Sequence, residues 1–428
     1  MNELKKNITI WRGIVLAISM VIGSGLLGLP GLTLEAGNGY ASAGAWMLMC
    51  FAGIPFIYIF TKLGLRYSSA AGLSKYAQEA VGEWGSYAVT TILLGTLLLG
   101  LPALLLIGAS YIQTLFKLPE QSVTWIALVI FMICTGINII GIKAASIVNS
   151  ASLGFLVFMI LTIIGFNSNF FSNGLAVFGE TITNKADISY RSIWGISVLL
   201  FWAFVGWENM SFGLEEFKNP KRTIPMVYWF SYIIVIVLYL ALAITSIGAN
   251  VTGVPVRGAS GLAVLVNRTP IGTILLSTLI VVILANLNSW IFGFSRLIFS
   301  AGQSGIIPSQ AGRLNKKSVP VNSLLILFVL SSIFLILPMF ISKLTISLFI
   351  MLVNQNWIIL YLISIYCFWK TEKGLARWFW TFFALCSCGF LLSGFSWWIV
   401  YPIILIGIGC INYAVKKKFL FCNNGGVF

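Results

Sequence analysis

The chain has 428 residues, of which 59% are apolar and 9% charged, and its 26 Lys and Arg against 11 Asp and Glu leave a formal charge of +15. A soluble domain carries about 25% charged residues, so the composition excludes one and indicates an integral membrane protein. With no histidine and a single aspartate, Asp187, it also excludes His-based catalysis, His metal sites and a two-aspartate membrane protease.

Apolar runs of about 20 residues cross a bilayer core of roughly 30 Å. Twelve are read from the sequence: 10–33, 41–63, 86–116, 123–141, 147–166, 192–214, 226–250, 270–300, 321–341, 343–369, 376–394 and 396–415. The first follows Lys5, Lys6 and Arg12 and is expected to be an uncleaved helix. The segment from Arg66 to Gly85, with Lys75, Glu79 and Glu83, reads as an amphipathic cytoplasmic helix at the interface. Residues 167–191, rich in Asn and Ser, read as the longest outer loop. If the N-terminus is cytoplasmic and the spans alternate, 20 basic residues fall inside and 6 outside. This is the positive-inside pattern, with both termini cytoplasmic. The positive charge is then a matter of topology, and no nucleic-acid partner is expected, because such binders gather basic residues on a watery face. The cysteines lie mostly inside apolar runs without a CxxC pair, so they are expected to pack, with neither disulfide nor metal.

Two spans carry internal breaks. Span 1 reads Ile22-Gly23-Ser24-Gly25-Leu26-Leu27-Gly28-Leu29-Pro30, and span 6 reads Phe201-Trp202-Ala203-Phe204-Val205-Gly206-Trp207-Glu208. Each break falls near mid-span, and an interval of five spans makes the two run in opposite directions. The expected fold is therefore an all-α membrane protein of twelve transmembrane helices with a five-plus-five inverted repeat and broken helices 1 and 6. Its halves are 10–166 and 192–369, with two additional helices over 376–415, all within one transporter domain over 1–428. Glycines let the backbone leave the helix. Freed N–H groups then bind a carboxylate, and freed carbonyls bind an ammonium or a cation. An α-amino acid carries both groups at fixed spacing. Small residues also serve plain helix packing, which is the alternative use of Gly23-Ser24-Gly25.

Glu208 is the only acid placed deep in a span. An ionisable group there is costly and marks a functional site by default. Withdrawal from water favours the neutral form of a carboxyl, a property suited to proton coupling; the competing use is a structural bond to freed backbone. In span 8, Asn286, Asn288, Ser289 and Trp290 offer a second candidate, with Asn288 and Ser289 as a cation site. Such residues more often satisfy one another across helices. The same two uses are open to Asn354, Gln355 and Asn356 in span 10.

Taken together, Gly23-Ser24-Gly25, residues 201–208, the run Glu215-Glu216-Phe217-Lys218-Asn219-Pro220-Lys221-Arg222-Thr223-Ile224-Pro225, Ser295-Arg296-Leu297 and Gly305-Ile306-Ile307-Pro308 resemble the amino acid–polyamine–organocation (APC) transporters. Arg66-Tyr67-Ser68-Ser69-Ala70-Ala71-Gly72 is similar to that family's loop after helix 2. The resemblance covers about residues 10–370. Glu35-Ala36-Gly37-Asn38, Gly100-Leu101-Pro102-Ala103 and the 216–220 loop look in particular like bacterial exporters of methionine and branched-chain amino acids. The resemblance implies a central site at the two breaks and alternating access. It implies that Gly23, Ser24 and Gly25 bind the substrate carboxylate, that Trp202 is an aromatic gate and that Trp290 lines the path. It also implies that Glu208 is the family's helix 6 acid. The candidate substrate-binding set is Ile22, Gly23, Ser24, Gly25, Trp202, Ala203, Phe204, Gly206 and Trp290. The chain departs from the family pattern at Gln303-Ser304-Gly305, where Arg-Asp-Gly is frequent, and in lacking a lysine within span 5.

The expected function is secondary transport of neutral, mainly apolar amino acids in the bacterial inner membrane, by export with proton antiport. No cofactor, metal or catalytic residue is expected, and the chain is not expected to be an enzyme. Import, sodium coupling and lipid-linked glycan flipping are the alternatives. The sequence gives no oligomeric state.

Overall fold

The computed structural model describes residues 8–22, 24–67, 72–140, 145–183, 189–208, 210, 214, 217–315, 319–341, 343–393 and 397–423. Gly23, Asp187, Lys143, Glu215 and Glu216 lie outside them, as do the side chains of Ser24, Gly25 and Ser289. The described chain is helical. Its one β-type contact is an isolated bridge between Ile8 and Phe217.

Span 1 forms α1 (Ile10–Val21) and α2 (Ser24–Ala36), and span 2 forms α3 (Gly39–Ala52) and α4 (Ile54–Arg66), which meet at Gly53. The short α5 (Gly72–Val81) follows. It buries Leu73, Tyr76, Ala77 and Ala80, spaced so that one face is apolar, as expected of the amphipathic segment. It packs on α6 (Glu83–Phe116) and on α15 (Ile346–Thr371). Among the candidate spans α6 is the most enclosed, with 83% of its apolar window buried.

After α7 (Ser122–Ile140) and α8 (Ala145–Phe166) the expected outer loop is instead a helix, α9 (Ser168–Ile182), bent 87° from the end of α8. Its polar composition hid a helical stripe. Gly174, Val177, Phe178 and Thr181 are buried against α3 and against α11 (Pro220–Val251). The crossing is glycine-dependent: a methyl carbon on Gly248 would lie 1.8 Å from the Phe170 carbonyl oxygen. Asn167 forms the corner, donating through Nδ2 to Ile163 O (2.8 Å) and Leu265 O (3.4 Å).

Span 6 begins with α10 (Tyr190–Leu200), continued by a 3₁₀ turn over Phe201–Phe204. The remaining helices are α12 (Leu262–Asn267), α13 (Gly272–Gln303), α14 (Val321–Ile336), α15, α16 (Leu375–Ser393) and α17 (Val400–Asn423). Among the described residues nine helices are long and apolar enough to cross a membrane, or ten with the bent α8–α9 pair. The expected count of twelve is reached only by adding the two broken segments, spans 1 and 6. α17 lies along α6, where Thr91 donates to Leu405 O (2.8 Å) and Tyr401 to Gly95 O (2.7 Å). In lipid, packing and such bonds replace the hydrophobic drive, at about 0.6 kcal/mol for an average interhelical bond.

Candidate functional site

Both expected breaks are present. In helix 1, α1 ends at Val21 and buried Ile22 is extended (φ −80, ψ 100), with α2 starting at Ser24. In helix 6, the 3₁₀ turn ends at extended Val205 (φ −92, ψ 160) and Gly206 takes φ 115. That conformation favours glycine, because a Cβ would clash with its own backbone.

A broken helix leaves the last carbonyls of its first half without N–H partners. In helix 6, side chains from two neighbours donate to carbonyls on both sides of the break. From α15, Asn354 Nδ2 donates to Val198 O (2.7 Å) and Leu199 O (3.3 Å). From α11, Tyr239 donates to Ala203 O (2.9 Å) and Tyr228 to Trp207 O (3.2 Å). Beyond the break, Glu208 Oε2 accepts the Gly206 N–H (3.0 Å) and the Tyr361 hydroxyl (2.8 Å). The Tyr361 ring sits among Phe56, Phe60 and Phe201, with centroids 4.9, 5.0 and 5.5 Å away. Glu208 is the only buried Asp, Glu, Lys or Arg among the described residues.

Of the candidate substrate-binding residues, Ala203 and Gly206 therefore spend a polar backbone group internally, the carbonyl and the N–H respectively. Phe204 is buried edge-on to Tyr239 at 5.6 Å, so it belongs to the packing between helix 6 and α11. Trp202 is partly buried and turns toward α6 and α15: a methyl carbon on Gly100 would lie 3.4 Å from its Cη2 and 3.7 Å from Val353 Cγ2. Trp290 is partly buried on α13 beside Phe294 (5.0 Å), and among the described residues it makes no ring contact with Trp202. The Asn288 side-chain oxygen accepts from Asn138 Nδ2 at 2.9 Å, a bond between α13 and α7. Among the described residues no cluster of three or more His, Cys, Asp or Glu stands ready for a metal ion.

The side chains that hold the break were legible only as spacings. Tyr228 and Tyr239 are eleven apart, three helical turns on one face; Asn354 and Tyr361 are seven apart, two turns on one face. Of the span 10 amides, Asn354 reaches helix 6 and Asn356 reaches Thr96 Oγ1 on α6 at 3.1 Å. The loop after helix 6 closes back on helix 1. Lys218 N donates to Ile8 O (3.0 Å), and Phe217 is fully buried against Gly13, where a methyl carbon would lie 2.7 Å from its ring.

Residues 8–415 match the family model described as amino acid permease. The chain is 25% identical to the amino acid permease YecA of Bacillus subtilis, over 97% of each chain. It is 24% identical to the L-methionine/branched-chain amino acid exporter YjeH of Escherichia coli, over 76% of each chain. It is also 24% identical to the arginine/ornithine antiporter ArcD2 of Lactococcus lactis, over 97% of this chain and 90% of that one.

Proposed function

The chain belongs to the amino acid permease family of membrane transporters, and on that premise we propose that it is a secondary active transporter of neutral, mainly apolar L-amino acids such as methionine, leucine, isoleucine and valine. It exports them across a bacterial inner membrane, with both termini cytoplasmic, by alternating access coupled to proton antiport. The two halves, 10–166 and 192–369, act as an inverted repeat around the breaks.

One observation carries the substrate class. Glu208, the one buried charge among the described residues, is bound by Gly206 and Tyr361 within the break. It is thus committed to the protein and not to a cationic side chain, which leaves the Trp202 ring and apolar walls for the substrate. The likeness to an exporter of methionine and branched-chain amino acids agrees with that reading. The first N–H groups of α2, at Ser24 and Gly25, lack helical partners and receive the substrate carboxylate at a positive helix end. Carbonyls of helix 6 other than those met by Asn354, Tyr239 and Tyr228 receive the ammonium.

Glu208 carries the coupling proton. Ionised, its Oε2 accepts one bond from Gly206 and one from Tyr361, which pin the break. Protonated, the carboxyl gains a donor and is a weaker acceptor, so the break loosens. Protonation thus shifts the balance between the two access states by differential stabilisation.

Flux of radiolabelled methionine and leucine in proteoliposomes, with and without an imposed pH gradient, tests this. Counter-directed flux that grows with the gradient is expected. Glu208→Gln is expected to retain binding but lose the gradient response. Flux indifferent to the gradient removes proton coupling, and no flux of any neutral amino acid removes the substrate class.

A further inference from the structure

Between α3–α4 and α16 lies an apolar groove of about 500 Å³, walled by Phe51, Pro55, Trp380, Phe383, Ser387 and Phe390. It sits where the helical run of span 2 is interrupted. Pro55 has no N–H to give the carbonyl one turn back, and Gly53 admits Tyr232, whose hydroxyl donates to Cys50 O at 2.6 Å; a methyl carbon on Gly53 would lie 2.4 Å from that hydroxyl oxygen. Gly53 is near the middle of the 28-residue span Gly39–Arg66, so the groove is at hydrocarbon depth. Phe51 (70% exposed) and Phe383 (46%) face outward from the protein. A groove so apolar and so deep suits neither water nor an ion.

One end of the groove is basic and aromatic. Tyr58 stacks on Trp380 at 4.4 Å and 15°. One turn along α4 from Tyr58, Lys62 lies over its ring, 5.6 Å from the centroid. One turn along α16 from Trp380, Arg377 lies over Trp369 (4.2 Å) and Trp378 (5.4 Å). Among the described residues the only ion pair is Lys75–Glu79, so neither cation has a carboxylate partner there. Arg377 Nε is buried, and among those residues it has no hydrogen-bond partner. Residues 370–377 hold Lys370, Lys373 and Arg377 against one acid, Glu372. Lys370 is occupied by the carbonyls of Glu79 and Ala80.

We infer that the groove is a binding site for an anionic phospholipid, with one acyl chain along α16 and the phosphate met by Lys62 and Arg377. The guanidinium suits a phosphate through paired N–H donors. Tryptophans at that level suit the headgroup region, and basic pockets between helices suit anionic lipid. The lipid bridges α4 to α16, which are otherwise joined there by the Tyr58–Trp380 stack.

Native mass spectrometry of the full-length, delipidated protein tests this, with phosphatidylglycerol or phosphatidylethanolamine added back. One retained phosphatidylglycerol per chain, in clear preference to phosphatidylethanolamine, is expected. Each of Lys62→Ala and Arg377→Ala is expected to weaken retention by about fivefold, as for one basic residue near an anionic surface. Ser387→Phe fills the groove and is expected to abolish retention with both cations in place. Equal retention of the two lipids by the wild-type chain overturns the proposal without any variant having to fold. So does a second copy of the chain, seen as a lipid-free dimer that Ser387→Phe disrupts.

Discussion

The second half of helix 1, α2, meets its neighbours at glycines. A methyl carbon on Gly31 would lie 2.1 Å from the Gly258 carbonyl oxygen, and one on Gly28 would lie 3.1 Å from Ile107. The first half of helix 6, α10 with its 3₁₀ turn, meets its neighbours through hydrogen bonds given by Asn354 and Tyr239. In helix 1, among the described residues, no side chain from another helix donates to the carbonyls of residues 18–22; the nearest tie on the far side is Tyr111 to Leu27 O at 2.8 Å. The second half of helix 1 is thus seated mainly by close approach at glycines, and the first half of helix 6 by side chains its neighbours supply. The difference bears on chemistry. The polar groups of the helix 6 break are largely spent inside the protein, whereas the first N–H groups of α2 have no partner within their own helix.

Opposite substitutions should therefore damage the two helices. The largest effect is expected for Gly31→Ala. Its new methyl meets backbone at Gly258, which takes φ +76 and has little room to yield. A loss of about 1–3 kcal/mol is expected from overpacking, read as a lower melting temperature of the purified protein. A neutral Gly31→Ala would show that α2 is not seated by close approach. Next comes Asn354→Leu, which fills similar space and leaves Val198 O and Leu199 O without their donor. A loss of up to about 1.7 kcal/mol is expected, the upper range for an interhelical bond in lipid. Transport should fall with it, because the bonds act at the break. Stability loss with unchanged substrate affinity and rate would detach Asn354 from the site.

Tyr239→Phe removes one hydroxyl from Ala203 O and is expected to cost about 0.6 kcal/mol, the average for such bonds, with the Phe204 ring contact kept. An effect larger than that of Asn354→Leu would invert the order and make α11 the main support of helix 6. The smallest effect is expected outside both breaks, at Glu79 on α5. Its bond to Lys75 holds the Glu79 carboxyl below its usual range. A lowered carboxyl adds stability above its ordinary range and loses it as pH falls through the folded value. Glu79→Gln should lower the melting temperature slightly at neutral pH and not at all in acid. For an exposed pair within one helix the difference is small, and a large one would give α5 a share in holding the breaks.

Much of this was legible in the sequence because the signals are local. Low charge and long apolar runs mark the membrane segments, and Gly206 announces a break wherever its neighbours sit. Even the helix that replaces the expected outer loop had a signature, the helical spacing of Gly174, Val177, Phe178 and Thr181, obscured by the Asn and Ser residues just before them at 167–173. Glu208 stood out by its isolation. What the sequence by itself determined was where the backbone is free to leave the helix. What only the tertiary structure decided was which freed groups are already taken. Asn354 reaches Val198 across 156 residues of chain and Tyr361 reaches Glu208 across 153. A residue's spacing tells which face of its own helix it occupies. Which helix packs there is set by the folded arrangement, and in lipid that arrangement decides whether a polar group is spent or available.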